Sequence, residues 1–241
     1  AWPEVLRVLA ARVDGSGVWS HRVWQQSEPA FDRWVAEKQL AGVDVVYGYE
    51  SASLQTFREA RRRGLFIVLD LPALEQTHVA RTLARELERW PELGHEYLRV
   101  REAEREDMAK KVREQWECAD LVVANSQVTL RSYEEQGFST RQARVVALAA
   151  TESRAVVSPA REPACESPLR LLFAGTLDVR KGGHCLLDAF ARLDSRVDAR
   201  LEVYGAIGLP GSFVQARRRG VTLRGHVPAR ELEEAYLAAD V

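Results

Sequence analysis

One segment of the sequence combines glycines, a hydroxyl and two cations in a spacing that suits phosphate binding. Gly175 and Thr176 follow an apolar run, and Arg180, Lys181 and Gly182 come shortly after them. The pattern predicts a strand, a tight turn and a helix N-terminus, where backbone N–H groups and the helix dipole attract an anion. The lysine adds a mobile positive charge, and glycines let an anion approach the backbone. The alternative is that the Lys-Gly-Gly turn only connects two elements. For a short motif considered in isolation, this structural role is the more frequent one.

The other glycine and serine patterns in the sequence count against three common classes of enzyme motif. Lys181 precedes its glycines, so the sequence lacks the Gly-x-x-x-x-Gly-Lys-Ser/Thr loop of the usual nucleoside triphosphatases. The run from Gly205 to Gly208 follows a predicted strand but lacks the Gly-x-Gly-x-x-Gly order, so it is a weak dinucleotide-binding pattern. No Gly-x-Ser-x-Gly elbow occurs, which counts against the common serine hydrolases.

The sequence offers few candidate metal ligands. His184 and Cys185 are adjacent in a predicted helix, and we expect their side chains not to converge on one ion. His95 lacks a second histidine four residues beyond Glu96, and no Asp-x-Asp pair is present to chelate a metal-bound diphosphate. We therefore predict no metal and no resident cofactor.

Composition describes an ordinary globular protein rather than a nucleic-acid-binding or membrane protein. The 241 residues are 46% hydrophobic and 29% charged, with a net charge of -1. That charge lacks the basic excess of non-specific nucleic-acid binding, and no apolar run approaches the roughly 18 residues that cross a bilayer. The three cysteines lie far apart, which argues against a disulfide framework and predicts a reducing compartment, the cytoplasm.

The chain ends predict a fragment. The sequence begins without an initiator methionine, and its last residue, Val241, falls inside an apolar pattern. We therefore expect truncation at both ends. The length still allows one large domain or two medium ones.

Apolar runs and amphipathic stretches alternate from Val43 onward. This alternation predicts an α/β fold with parallel sheets that carry helices on both faces. We expect strands at 43–47, 65–69, 121–124, 145–148, 169–173, 201–204 and 221–223. We expect helices at 53–63, 77–90, 96–118, 126–136, 183–193, 213–219 and 228–239.

A loss of periodicity divides this series into two halves. Residues 151–168 collect serine and proline and are interpreted as an interdomain linker. They separate an N-terminal half, 1–150, from a C-terminal half, 169–241. In such two-domain α/β proteins the default ligand site is a cleft lined by the carboxyl ends of the strands.

Three blocks of the sequence resemble the family 4 glycosyltransferases. Residues 119–126, with Arg131, Ser132 and Gly137 after them, are similar to the family's "AD-strand-S, SL, G" signature. Residues 173–182, followed by Ala189 and Phe190, are similar to its "vGrl, KG, A" block. Residues 221–241 are similar to its final "v-f-G-v, l, y, adv" segment.

The resemblance implies the GT-B fold, with two Rossmann-like parallel-sheet domains that are both incomplete here. The N-terminal domain would face the acceptor, and the C-terminal domain would bind the nucleotide sugar. The implied reaction transfers a sugar from a nucleoside-diphosphate sugar to an acceptor hydroxyl, with retention and without a metal. The implied partners are the nucleotide sugar, as co-substrate, and a glycan, lipid-linked or small-molecule acceptor; a peripheral membrane contact would not show in the sequence.

The resemblance also suggests roles for individual residues. Lys181, assisted by Arg180, would neutralise the departing diphosphate. His78 or Asp70 would serve the acceptor side, although a lone histidine is more often structural and Asp70 could simply cap a turn. The residues expected to contact the donor are Gly175, Thr176, Gly182, Gly205 and Ser126, of which Ser126 also caps a predicted helix.

The sequence departs from the family pattern at three places. Thr176 stands where the family usually has an arginine, and Asp70 stands near the position of a frequent histidine. The paired glutamates that hold the donor sugar would lie beyond Val241, so we expect this fragment alone to be inactive. These departures leave open an alternative, a non-catalytic module of the same fold that binds a sugar nucleotide or a partner.

Overall fold

The computed structural model describes residues 18–94, 102–149, 168–193 and 196–241, together with Leu6, Leu9 and Arg99. These residues form two compact units. The first unit takes the described parts of 1–82 and 95–149, and the second takes those of 83–94 and 150–241. None of the described helices is both long and apolar enough to span a membrane.

The first unit is built on a parallel sheet in the order β1-β2-β3-β4. Its strands are β1 (Val45–Tyr49), β2 (Phe66–Leu71), β3 (Leu121–Ala124) and β4 (Ala143–Val145). Its helices are α1 (Val18–Lys38), α2 (Leu54–Arg63), α4 (Arg105–Cys118) and α5 (Gln127–Glu134), with the first half of α3 (Gln76–Arg89).

Apolar side chains of the strands and of the helices that cover them form the core around this sheet. Ile67, Leu69 and Leu71 of β2 are fully buried, and Trp116 of α4 packs with Tyr133 and Phe138 in the same core.

A buried carboxylate caps α2 from a distant part of the chain. Ser53 precedes α2 but makes no capping hydrogen bond with its side chain. The Asp32 carboxylate of α1 instead accepts hydrogen bonds from the amides of Gln55, at 2.7 Å, and Thr56, at 2.9 Å. Amides in the first turn of a helix have no partner within it, so a buried carboxylate there both satisfies them and fixes α1 on α2.

The second unit carries a parallel sheet in the order β5-β6-β7. Its strands are β5 (Leu169–Ala174), β6 (Ala199–Tyr204) and β7 (Val221–Gly225), and its helices are α6 (Gly183–Ala191), α7 (Gly211–Ala216) and α8 (Ala229–Ala238). The second half of α3 and the short 3-10 helix Pro91–Leu93 complete it. Leu93, Leu177, Leu187 and Leu201 form the fully buried centre of its core.

The predicted alternation of strands and helices is confirmed, but several boundaries differ. The strands predicted at 43–47 and 65–69 are β1 and β2, which end two residues later than expected. Asp70 therefore lies inside β2, in register with Tyr49 of β1, and the expectation that it caps a turn is wrong. A polar residue is tolerated there because its carboxylate accepts a hydrogen bond from the Tyr47 hydroxyl.

Two predicted segments lie partly outside the described residues. The helix predicted at 96–118 is described from 102 onward, and its regular part, α4, begins after Glu104. The Glu104 carboxylate accepts a hydrogen bond from His21 at 2.7 Å. Of the predicted linker, 151–168, only Pro168 is described.

Candidate functional site

Two glycine-containing loops lie side by side at the carboxyl end of the second sheet. One follows β5 and the other follows β6, and the Leu177 amide donates to the Ala206 carbonyl at 2.8 Å. The Gly208 amide returns a hydrogen bond to the Leu177 carbonyl at 3.0 Å. This short parallel bridge continues the sheet beyond its strands, so the turn expected to bind phosphate is held by its neighbour.

Gly175 and Gly205 form the closest approach between these loops. Both have positive φ values, 136° and 127°, which side chains rarely adopt. A Cβ at Gly205 would overlap the carbonyl oxygen of Gly175 and come within 2.8 Å of its carbonyl carbon. A Cβ at Gly175 would meet nothing within 4 Å. Gly205 is therefore needed for backbone packing, and Gly175 leaves an open side of the loop.

The N-terminus of α6 is partly closed by its own loop. The amides of Lys181, Gly182 and Gly183 donate to the Asp178 carboxylate, the Val179 carbonyl and the Asp178 carbonyl, at 2.7, 3.1 and 2.8 Å. The sequence predicts unpaired amides between residues 175 and 183, and this expectation is wrong for these three and also for Gly175, Leu177 and Asp178, whose amides donate to backbone carbonyls. Among the described residues, the amides of the next two positions, His184 and Cys185, donate no such hydrogen bond and remain free for an anion.

Two cations flank this helix N-terminus. Lys181 is exposed and forms no ion pair within the part of the chain that the structure describes. Arg180 is 66% exposed, and its Nε lies 3.8 Å from the Asp178 carboxylate. Gly182 precedes the helix with a φ of 72°. Thr176 is half-buried, and its carbonyl accepts from the Asp178 amide at 2.9 Å.

The remaining predicted site residues lie in the first unit. Asp70 accepts the Tyr47 hydroxyl at 2.6 Å, and this hydrogen bond to the neutral phenol raises the pKa of Tyr47 to about 12. His78, in the first turn of α3, lies 3.2 Å through Nδ1 from the Glu135 carboxylate. Ser126 accepts the Thr129 amide at 3.0 Å. The predicted cap of α5 is confirmed, whereas donor binding by Ser126 stays a prediction.

Sequence reasoning missed a polar cluster at the carboxyl end of β1. The Tyr133 hydroxyl hydrogen-bonds to Glu50, and burial raises the pKa of Tyr133. Nearby, the Gln115 side chain accepts the Ser51 amide at 2.6 Å. Each hydrogen bond joins residues from different elements, and Glu50 lies three positions beyond the strand predicted at 43–47, so the sequence did not indicate the cluster.

Three candidate metal-ligating side chains converge in the second unit, which corrects a sequence-based expectation. His184 Nε2 lies 3.0 Å from Glu86 Oε2 and 3.3 Å from Cys185 Sγ. The expectation that His184 and Cys185 cannot approach one ion is therefore wrong. The Cα–Cβ bonds of neighbouring helix residues point about 100° apart. The imidazole, however, extends Nε2 well beyond its own Cβ, so Nε2 can still approach the Cys185 sulfur.

The predicted site residues thus fall into two groups. The second unit brings together the residues expected to contact a donor diphosphate: Gly175, Thr176, Arg180, Lys181, Gly182 and Gly205. The first unit holds Asp70, His78 and Ser126. The group in the second unit combines free amides, flexible cations and a glycine surface, which together can bind an anion such as a diphosphate.

Comparison with solved structures supports the fold class. The chain is similar to a trehalose-6-phosphate synthase studied with bisubstrate glycomimetics for its glycosyl transfer with retention. The TM-score is 0.53 and the identity 12%, over 89% of this chain and 55% of that chain. The predicted GT-B class, α/β with two Rossmann-like parallel-sheet domains, is confirmed at the level of the fold.

Two further similar structures match over comparable lengths. The apo form of the lipopolysaccharide outer core galactosyltransferase WaaB matches 88% of this chain and 51% of its own, at 17% identity and a TM-score of 0.49. A Polygonum tinctorium UDP-glucosyltransferase that glucosylates indoxyl, in complex with 3,4-dichloroaniline, matches 86% of this chain and 53% of its own, at 13% identity and a TM-score of 0.40. The chain spans about half the length of these structures. No family model and no curated protein matches the sequence.

Proposed function

We propose that the chain is part of a glycosyltransferase that uses a nucleoside-diphosphate sugar and retains the anomeric configuration. The observation that carries this proposal is the β5–α6 loop, where an exposed lysine and arginine flank a helix N-terminus with free amides. The sequence resemblance to family 4 glycosyltransferases and the fold shared with a retaining synthase support the same assignment.

The physical role of this loop follows from the leaving group. As the bond between sugar and diphosphate breaks, negative charge grows on the phosphate oxygens. Fixed donors and cations aimed at those oxygens stabilise the transition state more than the bound donor. Lys181 is the principal counter-charge, and Arg180 assists it once its weak pairing with Asp178 gives way to the phosphate.

The glycines have a different role in the same proposal. Gly175 leaves open space where a side chain would project, so the diphosphate can lie against the backbone. Gly205 keeps the loop after β6 in contact with the Gly175 backbone, and Thr176 adds a hydroxyl donor for the diphosphate. Gly182 sets the turn into α6.

We assign the acceptor side to the first unit. Asp70 and His78 are the candidate contacts for an acceptor, which would be a glycan, a lipid-linked sugar or a small molecule. Asp70 already binds the exposed Tyr47 hydroxyl, so an acceptor hydroxyl would replace or join that hydrogen bond. The departing phosphate would take the acceptor proton, so the proposal needs no further base and no metal.

Calorimetric titration of the chain with UDP, GDP and ADP tests the donor assignment. We expect one of the three to bind, and Lys181→Ala to weaken that binding at least about tenfold, since a charge-assisted contact contributes about 1.5–3 kcal/mol. Arg192→Ala is the matched control, because Arg192 is an exposed cation just beyond the opposite end of α6. Equal effects of the two substitutions would contradict the proposal.

Turnover is tested in the longer parent protein. There we expect release of a nucleoside diphosphate from its sugar donor, and a loss of about two to three decades in rate for Lys181→Ala. Binding without turnover in the parent would support the non-catalytic alternative.

A further inference from the structure

A cluster of three side chains in the second unit lies beside the proposed donor site, which uses the backbone amides of His184 and Cys185 but not their side chains. His184, the second residue of α6, is 1% exposed, whereas its neighbour Cys185 is exposed. Glu86, on the second half of α3, presents a carboxylate that is 26% exposed. The three ligand atoms lie within 4.8 Å of one another. The cluster thus joins two helices that are far apart in sequence.

Two of the three separations among these atoms are close to those of ligands around a tetrahedral ion. Zinc binds sulfur at about 2.3 Å and nitrogen or oxygen at about 2.0–2.2 Å, which separates tetrahedral ligands by about 3.4–3.6 Å. The observed separations of His184 Nε2 are 3.0 Å from Glu86 Oε2 and 3.3 Å from Cys185 Sγ. The third separation, between Glu86 and Cys185, is no more than 4.8 Å, so an ion would require the exposed Cys185 and the partly exposed Glu86 to move closer to each other.

Hydrogen bonding alone does not satisfy this arrangement. A single ring nitrogen carries either one proton or one lone pair, yet Nε2 faces both a carboxylate and a thiol. Nδ1 is buried and has no hydrogen-bond partner within the described residues. A Cys-His-Glu proton relay would need its partners on opposite ring nitrogens, so this geometry does not form one. A cation shared by Nε2, the carboxylate and the thiolate would satisfy these three atoms together, with the ring proton on Nδ1.

We propose that Glu86, His184 and Cys185 bind one Zn²⁺, with the fourth coordination position open to solvent. The mixed nitrogen, sulfur and oxygen ligand set favours zinc over calcium or magnesium, which take oxygen ligands. Trp90 packs edge-on against the imidazole, with centroids 6.0 Å apart, and holds the ring in place. Arg89 lies 3.9 Å from the other oxygen of Glu86, so Oε2 remains available to the ion.

Binding has a defined proton balance and a structural consequence. The thiol releases its proton to solvent, and the thiolate, the carboxylate and the neutral imidazole become ligands. The ion then bridges α3 and the first turn of α6, so it should raise the thermal stability of the second unit. This site is separate from the reaction proposed above, and its test does not involve glycosyl transfer.

The test is titration of the reduced chain with Co²⁺ and Zn²⁺. We expect one equivalent of Co²⁺ to give intense tetrahedral ligand-field bands and a thiolate-to-cobalt charge-transfer band, with Zn²⁺ displacing it. Cys185→Ser should remove the charge-transfer band and weaken Zn²⁺ binding at least about 100-fold, more than loss of an outer-shell group does. Glu86→Gln should weaken binding while keeping the band. Both variants alter partly exposed residues, so the buried His184 stays in place and the fold is preserved.

Cys118→Ser is the matched control, because Cys118 is a free cysteine at the end of α4 in the first unit. It should leave both bands and the Zn²⁺ affinity unchanged. The melting temperature should rise with Zn²⁺ in the unmodified chain and in Cys118→Ser, but not in Cys185→Ser. Absence of binding by the unmodified chain, a charge-transfer band that survives Cys185→Ser, or full affinity in Glu86→Gln would each overturn the proposal.

Discussion

Replacing Gly205 by alanine should destabilise the second unit through two separable effects. Its φ of 127° is strained for any residue with a side chain, at a cost of about 1–3 kcal/mol. The new methyl group would also overlap the Gly175 carbonyl, and overpacking against rigid backbone costs about 1–3 kcal/mol more. We therefore expect the free energy of unfolding to fall by about 4 kcal/mol, within a range of about 2–6 kcal/mol.

Two other glycines separate these effects. Gly175→Ala keeps the strain, at a φ of 136°, but meets no atom within 4 Å, so it should cost only about 1–3 kcal/mol. Gly211→Ala, at the start of α7, has neither a positive φ nor a neighbour within 4 Å. It should be neutral or stabilising by up to about 1 kcal/mol.

Urea unfolding followed by circular dichroism measures these differences, and hydrogen exchange of peptides from β5 and β6 locates them. The predicted order of destabilisation is Gly205→Ala, then Gly175→Ala, then Gly211→Ala. If Gly205→Ala were no more destabilising than Gly175→Ala, the two loops would not lie in contact as described, and the reasoning about the donor loop would fail with it.

Substitutions at three further positions test the first unit by urea unfolding. Asp32→Ala leaves two amides of α2 unpaired, so we expect a loss of about 1.5–3 kcal/mol, and Asp32→Asn, which can still accept, should lose less. Ser126→Ala removes the cap of α5 and should cost about 1 kcal/mol; an unchanged midpoint would show that the cap is dispensable. Hydrogen bonds from Arg62 and then Arg63 lower the pKa of Glu59 from 4.5 to about 2. The stability difference between the unmodified chain and Glu59→Gln should therefore be complete above pH 4.5, shrink as the pH falls toward 2, and diminish in high salt. A difference that does not change with pH would contradict that assignment.

The local features of the donor loop could be predicted from the sequence. An apolar run followed by glycine predicts β5 and its turn, and Gly175 indeed has a positive φ. The sequence also predicts the cap of α5 by Ser126 and the end of α2 before Gly64, because each feature depends on residues a few positions apart.

The features that the sequence did not predict depend mainly on contacts between distant elements. The Asp178 carboxylate accepts a hydrogen bond from the Lys181 amide, and this contact depends on a turn geometry that composition does not specify. Asp32 caps α2 from another helix. Glu86 reaches His184 only because the second half of α3 joins the second unit, and no periodicity along α3 indicates such a division.

The central claim is that the loop before α6 binds a diphosphate, and amide NMR during titration with UDP tests it most directly. If the account is right, the resonances of Thr176, Lys181, His184 and Cys185 shift in a saturable way, and Lys181→Ala raises the nucleotide concentration needed for half-saturation at least about tenfold. GDP and ADP serve as alternative probes in the same experiment. If none of the three moves these resonances, or if the largest shifts fall in the first unit, the account is contradicted.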